Sequence, residues 1–130
     1  MGHKYLEELQ TYQGPRWGIK QDPRTEEWDE EKEIYGFDST ETWALDTSFY
    51  LWLYERLRMY KDKASEIVNL HFHQFVFKCK NYYQDELIDM MLERIRFLFS
   101  KEYDEFNSDH YDYVSEISEI WATILPAMWW

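Results

Sequence analysis

The sequence predicts an all-α fold: a compact bundle of about four helices, preceded by an irregular acidic N-terminal arm. Three observations predict it. Residues 36–61, 84–100 and 110–125 each repeat apolar side chains at helical spacing. Each stretch also has a start or stop signal of its own. And only four glycines and three prolines interrupt 130 residues, too few for a loop-rich or disordered chain. That length suits one domain with a real core, residues 1–35 forming the arm with a short helix and residues 36–130 the helical core.

In chain order, residues 3–13 place Tyr5, Leu6, Leu9 and Tyr12 on one side of a short helix, which Gly14-Pro15 ends. Residues 16–35 show little periodicity. They contain Pro23, an acidic run from Glu26 to Glu33 and isolated Trp17, Trp28 and Ile34, which predicts an extended arm with a helical turn after Pro23. Gly36–Lys61 is the best helix. Asp38 at the N-cap and Glu41 three residues on form a capping-box pair, and Arg56, Arg58 and Lys61 suit the negative end of the helix dipole. Its apolar positions, Trp43, Leu45, Phe49, Tyr50, Trp52, Leu53, Leu57 and Tyr60, form a wide stripe. Burying all of them requires partner helices on more than one side.

Asp62–Ala64 reads as a connector. Residues 65–83 allow two readings. Val68, Leu70 and Phe72 alternate as a strand would, yet Val68, Phe72, Phe75, Val76 and Cys79 also share a helix face. A helix over 65–77 is favoured, because a lone strand pair lacks a sheet to join; the alternative is an α+β fold with a small hairpin around 68–83. Gln84–Ser100 is the second strong helix, with Asp85 and Glu86 in its first turn and Leu87, Met90, Met91, Ile95 and Leu98 on its apolar face. Residues 101–109 are a polar acidic link. In His110–Leu125, Val114, Ile117, Ile120, Trp121, Ile124 and Leu125 mark one buried face, and Pro126 stops the helix. Met128, Trp129 and Trp130 follow; since two large rings left in water forgo roughly 1.5–3 kcal/mol each, fold-back onto the core is favoured over an interface.

Net charge is −12 and unevenly spread. Residues 1–35 hold five bases and nine acids, residues 84–130 three bases and eleven acids, and the middle is balanced. Such a surface repels nucleic acid, so direct nucleic-acid binding is not expected; its natural partner is a protein with a basic surface, although keeping an aromatic-rich chain soluble is the favoured role for the acids. Aromatic residues make up 20% of the chain, more than a core of this size needs, which leaves rings for a binding surface. Cys79 is the single cysteine and fits a reducing compartment. No run approaches membrane-spanning length.

The motif GF-x4-TW-x-LD at Gly36–Asp46, the helix DELIDMML from Asp85 and the ending LPAMWW together resemble a group of small uncharacterised proteins encoded by bacteriophages and prophages. The likeness covers Gly36–Lys61, Asp85–Phe99 and Glu119–Trp130, about half the chain. It implies a viral gene product in a host bacterial cytoplasm, one that binds and redirects a host component.

Chemistry is thinly signalled. His71-x-His73 could draft Cys79 or His110 toward zinc, but no spacing enforces it, and half-buried histidines are the expectation. Lys78 and Lys80 flank Cys79 and favour its thiolate without supplying a base. Glu86 and Asp89, like Glu27–Glu30 and Glu30–Glu33, have the three-residue spacing of the magnesium-binding pairs in all-α nucleotide pyrophosphatases, with no second pair on Gly36–Lys61. No catalytic residue, metal or cofactor is assigned. The candidate protein-binding residues are Trp28, Glu30 and Glu31 in the arm, Asp104, Glu105 and Asp109 in the acidic link, and Trp129 and Trp130 in the tail. The function expected is a phage-encoded, non-enzymatic accessory protein that binds a host protein, in its sharpest form an acidic inhibitor of a nucleic-acid-handling or defence enzyme. A structural or assembly protein that oligomerises through aromatic surfaces is one alternative, and a magnesium-dependent pyrophosphatase-like enzyme the other.

Overall fold

The computed structural model describes residues 2–107 and 111–130. It is a mostly helical bundle carrying one small antiparallel hairpin. Four α-helices follow in order: α1 (Thr25–Tyr35), α2 (Leu45–Ala64), α3 (Gln84–Leu98) and α4 (Tyr111–Ile124). Between α2 and α3 lie strands β1 (Gln74–Phe77) and β2 (Lys80–Tyr83), which pair with Gln74 opposite Tyr83 and Phe77 opposite Lys80. Short 3-10 turns occupy Lys4–Glu8, Ser39–Thr42 and Leu125–Ala127.

The middle of the bundle belongs to α3. Leu87, Ile88, Met91, Leu92 and Ile95 recur at three- and four-residue steps and are all buried, between α2 on one side and α4 on the other. Glu86 starts the helix by accepting a 2.9 Å bond from the Tyr83 backbone N–H, filling one of the amide vacancies of a first turn. From α2 come Leu53, Tyr54 and Leu57; from α4 come Ile117, Ile120 and Ile124. Each such side chain contributes roughly 1.5–3 kcal/mol by leaving water. Leu6 and Leu9 of the N-terminal segment complete the core beside α2. Charged ties reinforce the seams: Glu116 on α4 accepts from Arg94 of α3 and, at 2.5 Å, from Lys78 of the hairpin turn.

Several expectations need correction. The helix expected over 65–77 is a loop followed by the hairpin, so the alternative reading of that stretch holds. The objection that a strand pair needs a larger sheet fails here because the hairpin lays Phe77 into the core and packs β1 against α4. The acidic arm is not irregular. Residues 25–35 form the full helix α1, begun after a turn in which Asp22 Oδ1 accepts from the Arg24 N–H at 2.9 Å, and ended by Gly36 at φ 87°. The Asp38–Glu41 capping box is real but closes the turn Ser39–Thr42; α2 begins after it, at Leu45, and runs through the presumed connector to Ala64. The helix expected over 3–13 shortens to the turn Lys4–Glu8. Among the described residues no helix is long and apolar enough to cross a membrane.

Candidate protein-binding surface

The surface begins with the two sides of α2. At about 100° per residue, Tyr50, Leu53, Tyr54, Leu57 and Ala64 point to the core, while Leu45, Phe49, Trp52 and Met59 centre roughly 130° away. The second set is exposed, Trp52 at 45% and Leu45 at 68%. The wide stripe of the sequence is thus two stripes, and the bundle covers one. On the open side Phe49 stacks on Trp52, and the Arg56 guanidinium lies over the Trp52 ring at 4.7 Å. Tyr35, Phe37 and Trp43, also exposed, extend the aromatic surface to the junction of α1 and α2. Beside Trp52 and Arg56 is a hollow of about 360 Å³ that reaches to Tyr12, Trp17 and Lys32.

A second component is α1. Its only buried residue is Trp28, 2% exposed, which meets Trp43 edge-on at 5.7 Å and lies under the guanidinium groups of Arg16 and Arg24. Arg16 also donates to Asp29 at 2.7 Å and to the buried Asp38 at 2.9 Å, and Trp17 donates its indole N–H to the Thr40 carbonyl at 2.7 Å. Those bonds hold Arg16 and Trp17 at φ 55° and 56°, a backbone costing about 1–2 kcal/mol per residue. Burial pushes the Asp38 carboxyl up, but the bonds from Thr40 and Arg16 outweigh it and leave the group below its ordinary range. With its inner face fixed this way, α1 turns Glu26, Glu27, Glu30 and Glu33 to open water, none with a hydrogen-bonded partner among the described residues.

The sequence-derived site residues therefore separate. Trp28 is a correction: it anchors α1 and cannot touch a partner. Glu30 is exposed as expected, whereas Glu31 is half-buried and spent on Ser39, whose backbone N–H it accepts at 3.3 Å. Asp104 and Glu105 are exposed in the link after α3; Asp109 lies outside the described residues. The favoured fold-back of the tail holds for Met128, which packs on the core, and fails for Trp129 and Trp130, which stay outside at 75% and 57% exposure. The link meets the N-terminal segment, the Lys101 N–H donating to Gln10 Oε1 at 3.1 Å, far in sequence from Trp28, Glu30 and Glu31. The surface the sequence missed is the open side of α2; its signal was there, in eight apolar positions spanning more arc than one seam can bury.

The chemical candidates find ordinary partners. His71 and His73 are exposed rather than half-buried; the His71 ring stacks on Tyr83 at 3.7 Å and its Nδ1 meets Asp85 at 3.0 Å. Cys79 is exposed at the hairpin turn, and His110 lies outside the described residues. Glu86 is spent on the start of α3 and Asp89 pairs with Lys61. Among the described residues no three of His, Cys, Asp and Glu converge as metal ligands would.

No protein-family model matches the chain, and no curated protein or solved structure does either.

Proposed function

We propose that the protein is a non-enzymatic accessory protein, of bacteriophage origin, that binds a host protein carrying a basic surface. The observation that carries this reading is the acidic ridge of α1. Glu26 to Glu33 span about 10 Å of helix axis at 1.5 Å per residue, so the four outward carboxylates are spaced roughly 3.5 Å apart on average, close to the spacing along one nucleic-acid strand. Duplex DNA carries one per about 1.7 Å and a single strand one per about 3.4 Å. The ridge has the charge density of a nucleic-acid backbone on a rigid, preformed support. A groove built for phosphates is its natural partner, and in its sharpest form the protein is a competitive inhibitor of a nucleic-acid-handling or defence enzyme. Long-range attraction would speed the encounter and make it sensitive to salt.

The test is capture from bacterial lysate by the intact chain and by a Glu26→Gln, Glu27→Gln, Glu30→Gln, Glu33→Gln variant. The reading expects a nucleic-acid-binding enzyme retained at low salt, released by heparin or by about 1 M salt, where the screening length falls to about 3 Å, and not held by the variant. Capture indifferent to both salt and the four substitutions would contradict it.

The open aromatic side of α2 favours a second reading, self-assembly, and supports it independently of α1.

A further inference from the structure

We propose that two copies of this chain associate antiparallel through the open side of α2. Leu45, Phe49, Trp52, Arg56 and Met59 follow one another at intervals of four, three, four and three residues. That is the repeat of a coiled-coil seam, and each of the five is exposed. Phe49, Trp52 and Arg56 are already locked against one another, so little side-chain freedom remains to be lost on contact.

A second copy is the occupant that the charges select. At −12 overall, two copies repel almost everywhere. Residues 36–83 are the exception, with six acids and six bases, and the seam lies within them. Charge along α2 is uneven: Asp46 stands in its first turn, and Arg56, Arg58, Lys61 and Lys63 outnumber Glu55 and Asp62 toward its end. A parallel pair would set bases against bases. An antiparallel pair opposes the two helix dipoles and sets the basic end of each α2 beside the start of the other. In the register that opposes Phe49 and Trp52 to Trp52 and Phe49 of the second copy, four rings form the centre and Met59 lies near its Trp43. The seam itself runs about 21 Å, and Trp43, exposed just before its first residue, lengthens the contact toward the roughly 1,000 Å² a stable interface needs. Such a dimer would present two acidic ridges to one partner, although the inference does not depend on what those ridges bind.

Sedimentation equilibrium of the intact chain tests it, from about 1 to about 100 µM, a range that covers micromolar association. The expected result is a monomer–dimer equilibrium that survives high salt. Phe49→Glu and Trp52→Glu should each raise the dissociation constant at least about thirtyfold, the scale of a central aromatic anchor. Arg56→Asp, which puts an acid into the seam and removes the cation over Trp52, should weaken it several-fold. These positions are exposed, so an unchanged circular dichroism spectrum shows that each variant is folded. A chain that stays monomeric at the top of the range overturns the inference, as does a dimer indifferent to Phe49→Glu. The four-glutamine variant of α1 should dimerise normally, so loss of host capture without loss of the dimer marks a failure of the ridge reading alone.

Discussion

Phe49 lies stacked on Trp52 with ring centroids 6.2 Å apart and planes within 16°, on the side of α2 turned away from the core. The next residue, Leu53, is wholly buried. One step along the chain thus separates a surface ring from the centre of the bundle, and the difference should be measurable. Trp52→Ala should shift the urea midpoint by less than about 0.5 kcal/mol equivalent, whereas Leu53→Ala should cost about 2–5 kcal/mol. If the two substitutions cost the same, Trp52 has a burying contact that this account lacks.

α1 depends on one side chain. Trp28→Ala removes its only buried anchor together with the cover for Arg16 and Arg24. Truncation of a large core ring costs about 3–5 kcal/mol. Because α1 touches little besides the turn Ser39–Thr42, that loss should appear as local opening. Amide exchange in Thr25–Tyr35 should become fast while α3 stays protected. Global unfolding, with α3 exchanging at the same rate, would contradict the peripheral placement of α1.

How much of this the sequence showed depends on where the deciding forces lay. α3 and α4 were legible because their apolar residues repeat on one face and sharp signals end them, Asp85 and Glu86 at one start, Pro126 at the other end. α1 was hidden: nearly all its positions are polar, and the force that orders it is the docking of Trp28 onto Trp43, a contact between residues far outside any local window. The open side of α2 was hidden by excess, since periodicity reports which side chains are apolar and not whether a neighbour arrives to cover them. The hairpin was hidden by its turn. Lys78 and Cys79 both take positive φ, 50° and 63°, where glycine or asparagine is the usual marker. Lys78 is held there by Glu116 and by its contact with the Phe77 ring at 5.7 Å.

That turn supplies a third prediction. Among the described residues the Cys79 thiol has no partner, and its left-handed backbone costs about 1–2 kcal/mol, which glycine avoids. Cys79→Gly should therefore stabilise the protein by about 1 kcal/mol in a urea titration, net of the extra freedom glycine gives the unfolded chain. A loss of stability would mean that the thiol has a role in the fold.

Acid should weaken the contact where the N-terminal segment meets α2. Glu8 accepts two bonds from the Arg58 guanidinium, at 2.9 and 2.8 Å, and a third from the Tyr54 hydroxyl at 2.5 Å. The Arg58 bonds, helped by Tyr54 and working against burial, lower its carboxyl from 4.5 to about 2. A carboxylate depressed in the folded state adds stability that is whole above about pH 4.5 and fades as pH falls toward about 2. Glu8→Gln should be less stable than the parent at neutral pH, and the gap should close across that window. Water screens the partly exposed pair, so the effect is modest. A gap independent of pH would show that packing, and not the charge, is what the substitution removes.

The central claim is that the uncovered rings of α2 form a contact surface. Hydroxyl-radical footprinting of the intact protein at rising concentration tests it most directly. The account predicts that Phe49 and Trp52 become protected as the protein is concentrated, while Trp129 and Trp130 stay equally reactive throughout. Protection of the tail tryptophans with Phe49 and Trp52 unchanged would place the contact elsewhere and contradict it.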